Sequence, residues 1–401
     1  MVAETSGTGA RAASPLPVPL ISVTGTPAES GAAYGAAVAP LVAGNVERYL
    51  RRFRDEAGLP PAAVRAAGGA FRAATRAALP RIGQTLDGLS DGAGIAVEEI
   101  YALNARTELL YGARAAGDGT TVVNDVRGAT VDGADGGCTA AGVLGTHTGD
   151  GHLLLGQNWD WHPDQRDTML LLHSVDEHGK AVLTLAEAGM LAKTGLNSAG
   201  LGVCLNMLGC DRDGLAGGRP PGVPYHVLLR AVLEADSLGQ ATRIACRTPR
   251  NASINLLLGQ AGPDGGELLD LEVVPGDIGW LHPDNGVLTH ANHLETNLPV
   301  RDSMKNFGGS SLFRAARARR LLTGRPTGEP LDLAALAGVF HDHLGLPLAI
   351  CRHFDERDAP TDRGETVYSV LFDLDELRFG LATGPPCRHD YSWLKLADLS
   401  G

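Results

Sequence analysis

Hydrophobic residues recur at helical spacing through the first third of the chain. The stretches "AAYGAAVAPLVAGNVERYLRRFRDEAG" and "AAVRAAGGAFRAATRAALPRIGQTLDGLSDGAG" place apolar side chains three to four positions apart and are rich in strong helix formers. A third helix is predicted over "AVEEIYALNARTELL", which carries acidic residues in its first turn. From 115 to 137 the period is lost and Gly, Asp and Thr dominate, which predicts an exposed loop.

The pattern changes at Cys138 to short apolar runs separated by Gly, Asp, Asn and Pro, which is typical of antiparallel strands. The predicted units are a hairpin over 138–161, a second hairpin over 168–189, a meander over 254–290, a late hairpin over 366–384 and two helices over 225–235 and 310–322. Helices followed by meanders with inserted helices favour an α+β fold of layered antiparallel sheets.

Composition and charge narrow the class of protein. The formal net charge of -12 argues against a nucleic-acid-binding protein. No apolar run approaches the roughly 20 residues of a membrane span. Residues 1–25 lack the basic and apolar regions of a secretory signal and are predicted to be a disordered leader. Without an export signal, the six cysteines are expected to be reduced and the protein cytoplasmic.

The first hairpin brings two reactive side chains to one end. If its turn is centred near Asp150, residues that face each other have numbers that sum to about 300. Cys138 then faces a residue close to Trp161, and Asp160 lies within a residue or two. The ordinary interpretation of Cys138 is a small buried hydrophobe, and that of Asp160 is a turn or capping residue.

A metal site is an alternative that the residue types allow. His290, His293, Cys351 and His353 are zinc ligands by type, but their spacing matches no standard zinc motif. The two histidines of "LTHANH" are therefore interpreted as hydrogen-bonded residues at a strand end. The arginines of "FRAARARR" are interpreted as a solvent-exposed helix face.

Seven motifs carry a resemblance to a known family. In chain order they are "DGGCTAAGVLG", "GQNWDW", "GLNSAGLGVCLNML", "THANH", "SSLFRAARARRLL", "ICRH" and "VYSVLFDL…GPPC". Together they resemble the acyl-coenzyme A:6-aminopenicillanic acid acyltransferase family of N-terminal nucleophile (Ntn) hydrolases, peptidase family C45. The resemblance implies an αββα sandwich and a proenzyme that cuts itself before its cysteine. The implied parts are a leader (1–25), a helical pro-segment (26–137) and a catalytic fragment (138–401), which together form one Ntn domain.

The resemblance also implies roles for individual residues. Cleavage between Gly137 and Cys138 frees an α-amino group, whose pKa of about 8 lets it act as the base for the thiol. Asn292, by its place in "HANH", is expected to bind the oxyanion, with Asn206 as a second donor. Asp160 is expected to hold the α-amino group.

Three further residues complete the expected site. Arg352 is expected to lie beside the thiol and to favour its ionised form. Thr139 and Asn158 flank the predicted catalytic residues and are assigned a supporting role.

The implied function is that of a self-processing cysteine amidohydrolase or acyltransferase, acting on an N-acyl amine or peptide-like amide through an acyl-Cys138 thioester. The expected partners are a small amide or acyl donor, such as an acyl-CoA, and an amine acceptor. The two fragments are expected to stay associated, a homo-oligomer is compatible with the sequence, and neither nucleic acid nor a membrane is expected. No cofactor and no metal is expected. A non-catalytic Ntn-like scaffold that binds an acylated metabolite and a zinc-dependent hydrolase remain alternatives.

Overall fold

The computed structural model describes residues 16–115, 137–215, 219–305, 309–325, 329–360 and 363–399. Residues 116–136, where the exposed loop is predicted, lie outside these segments. Within them the chain forms ten α-helices and fourteen β-strands.

The helices are α1 (Pro27–Ala37), α2 (Ala39–Ala57), α3 (Pro61–Ala78), α4 (Pro80–Ala93), α5 (Val97–Asn104), α6 (Arg106–Ala115), α7 (Tyr225–Leu233), α8 (Leu238–Arg247), α9 (Ser311–Thr323) and α10 (Leu333–Phe340). The strands are β1 (Leu20–Thr24), β2 (Gly137–Val143), β3 (Leu154–Trp161), β4 (Met169–Val175), β5 (Ala181–Glu187), β6 (Thr194–Asn197), β7 (Leu201–Met207), β8 (Ile254–Gln260), β9 (Glu267–Val274), β10 (Asp277–Leu281), β11 (Val287–His290), β12 (Glu365–Asp373), β13 (Arg378–Thr383) and β14 (Ser392–Lys395).

Proline and glycine set several of the helix ends. Proline occupies the first turn of α3 and α4, where its missing N–H costs no helical hydrogen bond. Gly58 and Gly94 end α2 and α4 in the left-handed conformation, each with a φ of 66°. No helix in the described segments is long and apolar enough to cross a bilayer.

The strands form two sheets. The larger has eight strands in the order β1-β4-β5-β6-β7-β8-β9-β10, and the smaller has six in the order β11-β2-β3-β12-β13-β14. Every pairing is antiparallel except that of β1 with β4. In the smaller sheet β2 lies between β3 and β11, so Cys138 belongs to an inner strand.

Three hydrophobic clusters define four layers. One lies between the sheets and includes Leu155 and Phe372 of the smaller sheet with Leu183 and Leu257 of the larger. A second joins α1–α8 to the outer face of the larger sheet. A third joins α9 and α10 to the outer face of the smaller sheet. The predicted αββα arrangement is confirmed.

The structure differs from the sequence-based expectations at three places. Residues 20–24 lie in the predicted leader, yet they form β1 beside β4, so the prediction of disorder is wrong for them. The meander ends early because β11 leaves the larger sheet and pairs with β2. The predicted third helix breaks at Ala105 into α5 and α6.

Helices α1 and α4 approach each other backbone to backbone through glycines. A Cβ at Gly31 would lie 2.0 Å from the carbonyl oxygen of Thr85, and a Cβ at Gly88 would lie 2.2 Å from that of Ala28. Any side chain at these positions would push the helices apart. The outer helical layer therefore depends on these glycines for its close packing.

We expect Gly88→Ala to lower the free energy of unfolding by roughly 1–3 kcal/mol, because the added methyl group collides with a backbone carbonyl that cannot move freely. The matched control is Gly44→Ala in α2, where the new Cβ meets no atom within 4 Å. This control should stabilise the protein by roughly 0.5–1 kcal/mol through helix propensity. Denaturant unfolding of both variants measures the difference, and equal effects would contradict the packing argument.

Candidate active site

Cys138 lies at the second position of β2, where it pairs with Trp159 of β3, and Gly137 pairs with Asp160. The predicted hairpin is confirmed, and the partner of Cys138 lies two residues before Trp161, near which it was expected. The pairing centres the turn between Thr148 and Gly149, slightly before Asp150. Directly opposite residues share one face of a sheet, so Cys138 and Asp160 lie on opposite faces.

The Cys138 thiol lies on the inner face, between the two sheets. It accepts a hydrogen bond from the backbone N–H of Met207. It lines a small cavity of about 20 Å³. The other residues that line this cavity are Arg106, Gln157, Trp159, Trp161, Lys193, Leu205, Met207, Tyr225, His226 and Tyr368. The cavity is therefore mostly aromatic and apolar, with two cationic side chains near the sulfur.

Burial controls the ionisation of this thiol. Burial raises the pKa of Cys138 to about 11, and the negative charge of Asp160 adds to the increase. The Met207 N–H, Arg314 and Lys193 act in the opposite direction. In this environment the thiol is neutral near pH 7.

Lys193 and Arg106 share one carboxylate. Lys193 Nζ lies 2.5 Å from Glu187 Oε1, and Arg106 Nη2 lies 3.4 Å from the same oxygen. Burial, together with the charge of Arg106, lowers the pKa of Lys193 to about 7. The ammonium also lies 3.6 Å from the centre of the Trp159 ring. When Lys193 is protonated, this side of the cavity carries a net positive charge, because Lys193 and Arg106 share the single carboxylate of Glu187.

Asp160 lies on the outer face of the smaller sheet. Its Oδ1 accepts a hydrogen bond of 2.7 Å from the Thr366 hydroxyl. Burial raises the pKa of Asp160, whereas Arg314 and Arg352 lower it. The carboxylate therefore lies among cationic groups in a site with almost no solvent exposure.

Gly137 is a glycine because the Asp160 carboxylate lies against its α-carbon. A Cβ at Gly137 would lie 2.7 Å from Asp160 Oδ2 and 3.4 Å from Arg352 Nη1. The peptide bond between Gly137 and Cys138 thus has a carboxylate and a guanidinium beside it. Arg352 lies by this bond and by Asp160, and the cations that most lower the thiol pKa are Arg314 and Lys193.

Asn292 holds the backbone of Cys138. Its Oδ1 accepts a hydrogen bond of 2.8 Å from the Cys138 backbone nitrogen. Its Nδ2 donates to the Met207 carbonyl at 2.9 Å. The side chain predicted to bind an oxyanion thus contacts the nitrogen that cleavage before Cys138 would free.

Arg314 of α9 is a site residue that the sequence-based interpretation missed. The prediction of a solvent-exposed helix face is wrong for it, because Arg314 is only 3% exposed. Its guanidinium donates to the Cys138 carbonyl, to Thr139 Oγ1 at 2.7 Å and to Asn292 Oδ1 at 2.8 Å. It therefore joins the strand of the cysteine to the loop that carries Asn292.

The spacing of apolar residues along α9 indicates that Arg314 is buried. The buried residues of α9 are Ser311, Arg314, Ala315, Ala318 and Leu322, which form one stripe at helical spacing. Arg317 of the same helix is partly exposed and pairs with Asp342 at 2.7 Å. An arginine on the apolar stripe is expected to have buried acceptors, and this distinguishes Arg314.

The remaining predicted residues surround these groups. Asn206 Nδ2 donates to the His290 carbonyl at 2.9 Å and to the Cys138 carbonyl at 3.4 Å. Asn158 Nδ2 donates at 2.9 Å to the carbonyls of Phe340 and Ile350, so it anchors the segment before Arg352. The structure thus brings all eight sequence-predicted residues around one strand end.

The four residues considered as zinc ligands from the sequence, which are His290, His293, Cys351 and His353, do not lie together in one site. His290 Nε2 lies 2.9 Å from Glu272 Oε1, and His293 Nδ1 lies 2.9 Å from the Ser311 hydroxyl. Both histidines are hydrogen-bonded, as expected. Cys351 and His353 lie in a different cluster, and none of the six cysteines, all of them in described segments, forms a disulfide.

Comparison with known proteins identifies the class to which this fold and site belong. A sequence profile of the family described as "Acyl-coenzyme A:6-aminopenicillanic acid acyl-transferase" matches residues 146–387. The chain is 30% identical to the acyl-coenzyme A:6-aminopenicillanic-acid-acyltransferase 40 kDa form of Emericella nidulans over 317 residues, which cover 79% of this chain and 78% of that protein. The chain therefore belongs to this acyltransferase family.

Two solved structures show a more distant likeness. Penicillin V acylase from Agrobacterium tumefaciens has a TM-score of 0.43 and 15% identity, over 66% of this chain and 88% of that one. A mutant form of the conjugated bile acid hydrolase from Clostridium perfringens has a TM-score of 0.45 and 12% identity, over 65% of this chain and 94% of that one.

Replacing Lys193 by Met should slow alkylation of Cys138 at a fixed pH below about 7, where the Lys193 side chain is protonated because its pKa is about 7. Loss of a nearby cation raises the pKa of a thiol, and we expect a roughly 3- to 10-fold slower reaction, which corresponds to about half to one pKa unit. Peptide mapping after timed treatment with iodoacetamide at several pH values measures the rate at Cys138 alone. Lys180→Met is the control, since Lys180 does not line the cavity. An unchanged pH profile in Lys193→Met would show that this cation does not influence the thiol.

Proposed function

We propose that the chain is a self-processing cysteine amidohydrolase or acyltransferase in which Cys138 becomes the N-terminal nucleophile. The observation that carries the proposal is the hydrogen bond of 2.8 Å from the Cys138 backbone nitrogen to Asn292 Oδ1. It places an acceptor at the atom that would become the α-amino group. The thiol of the same residue lines the small cavity between the two sheets.

The first step is cleavage of the bond before Cys138. The sulfur attacks the carbonyl carbon of Gly137, the C–N bond breaks, and the thiol proton passes to the departing nitrogen. Water then hydrolyses the thioester, which restores the thiol and leaves a carboxylate on Gly137. The absence of a side chain on Gly137 and the Arg352 guanidinium near its α-carbon support this step, because the carbonyl is not shielded by a side chain and a cation lies close to it.

The second step uses the freed amine. An α-amino group has a pKa of about 8, so its neutral form accepts the thiol proton at physiological pH. The thiolate attacks the carbonyl of an amide or thioester, and the leaving amine or thiol takes a proton as the acyl-Cys138 thioester forms. Water or a second amine then removes the acyl group. In this scheme Asn292 Oδ1 keeps the α-amino group beside the sulfur.

Association of the two fragments is supported by the packing. Strand β1 precedes the proposed cleavage site and pairs with β4, which follows it. The cluster under the outer helices also mixes residues from both sides, such as Tyr49 and Phe53 with Val203 and Leu256. Separating the fragments would expose this apolar surface to water.

Mass spectrometry of the purified protein tests self-processing. Wild type should give fragments of residues 1–137 and 138–401, whereas Cys138→Ala should remain one chain because it lacks the attacking sulfur. Cys246→Ala removes an exposed cysteine outside the site and should be cut as wild type is. An intact wild-type chain, or a Cys138→Ala chain cut at the same bond, would contradict the proposal. The first result would favour the non-catalytic scaffold.

A second test compares two arginines of α9. Arg314→Lys keeps the charge but cannot span Cys138, Thr139 and Asn292, since an ammonium lacks the planar fork of a guanidinium. We expect acylation of Cys138 by an acyl-CoA thioester, followed by intact mass, to slow roughly 10- to 100-fold, as expected for loss of a charged hydrogen bond. Arg317→Lys, on the same helix but paired with Asp342, should acylate at the wild-type rate. Equal rates for the two variants would show that Arg314 has no role in positioning the nucleophile.

A further inference from the structure

Four side chains outside the candidate active site converge on one point: His343, Cys351, His353 and Cys387. His343 follows α10, Cys351 and His353 flank Arg352, and Cys387 follows β13. Their metal-ligating atoms all lie within 4.8 Å of one another. His353 Nε2 is 3.2 Å from His343 Nε2, 3.3 Å from Cys387 Sγ and 3.6 Å from Cys351 Sγ.

The three separations measured from His353 Nε2 match those of a tetrahedral zinc site. With Zn–S bonds of about 2.3 Å and Zn–N bonds of about 2.0–2.1 Å, a tetrahedron separates two nitrogens by about 3.3 Å, nitrogen and sulfur by about 3.5 Å, and two sulfurs by about 3.8 Å. The three separations measured from His353 Nε2 each lie within a few tenths of an ångström of these values.

Hydrogen bonding alone does not account for the cluster. A ring nitrogen of histidine makes one hydrogen bond, either as donor or as acceptor. Nε2 of His353 has three donor or acceptor atoms within 3.6 Å, from His343, Cys351 and Cys387. A cation at the centre would satisfy all four groups at once.

We propose that His343, Cys351, His353 and Cys387 bind one Zn²⁺ in a closed structural site. Two thiolates and two imidazoles are a donor set that favours zinc over harder cations such as Mg²⁺ or Ca²⁺. Four protein ligands leave no position for water or substrate, so the site does not carry out hydrolysis. His343 and Cys387 are exposed, which gives the metal a route in and out.

The position of the site links it to Arg352. This arginine stands between two of the ligands in the sequence, so metal binding would hold its backbone on both sides. The Arg352 backbone N–H donates to Thr366 Oγ1 at 3.0 Å, and the same hydroxyl donates to Asp160. The metal would thus fix the loop after α10 against the end of β13 and keep Arg352 beside Gly137.

Metal analysis of the full chain tests the proposal without any assay of activity, so its failure is independent of the proposed function. Wild type purified without chelators under reducing conditions should contain about one zinc per chain. Cys387→Ser and His343→Ala should each lose most of the metal, to below about a fifth of the wild-type content, because a structural site depends on all four ligands. Cys246→Ser and His389→Ala replace exposed residues outside the cluster and should keep the metal.

Cobalt substitution of the wild-type chain gives a readout that does not depend on the folding of a variant. Apoprotein loaded with Co²⁺ should show the intense visible bands of a tetrahedral site and a thiolate-to-cobalt charge-transfer band. Wild-type protein with less than about a tenth of a zinc per chain and no such bands would overturn the proposal. A disulfide between Cys351 and Cys387, found by non-reducing peptide mapping of freshly purified protein, would overturn it as well.

Discussion

The buried guanidinium of Arg314 is the interaction on which the geometry of the site depends. It reaches from the outer helical layer to the strand of Cys138 and to the loop of Asn292, and it hydrogen-bonds both. Burial lowers the pKa of this group, and the negative charge of Asp160 opposes the decrease. A buried charge is stable only where its hydrogen bonds are nearly complete, so α9, β2 and the loop after β11 must be in register for the site to form.

Side chains alternate between the two faces of the sheet along β2 and β3, so the thiol of Cys138 and the carboxylate of Asp160 lie on different faces. The thiol of Cys138 lies on the inner face, where aromatic side chains and Lys193 form the cavity. The carboxylate of Asp160 lies on the outer face, among Arg314 and Arg352. The backbone of Gly137 and Cys138 lies between these two groups. The carboxylate of Asp160 therefore lies beside Gly137 but outside the cavity that the thiol lines.

Most helices and strands were predictable from sequence because their periods depend on near neighbours, whereas the αββα layering was predicted from the family resemblance. The exact register of the first hairpin was not predictable, because it depends on where the turn is centred, and neither was the transfer of β11 to the second sheet. The burial of Arg314 was missed because α9 carries arginines on several faces and was interpreted as one exposed face, although Arg314 lies on the apolar stripe of this helix. The cluster of His343 and Cys387 brings together residues far apart in the chain, and no local spacing indicates it.

Within the proposed mechanism, one acceptor serves both stages. Before cleavage, Asn292 Oδ1 binds an amide nitrogen that cannot act as a base. Burial then keeps the Cys138 pKa near 11, so the thiol is a weak nucleophile toward external substrates. After cleavage, the same oxygen would hold an amine that can accept the thiol proton, and its protonated form would stabilise the thiolate. In this mechanism the uncut chain would lack a base for its thiol, and breaking the peptide bond before Cys138 would supply one.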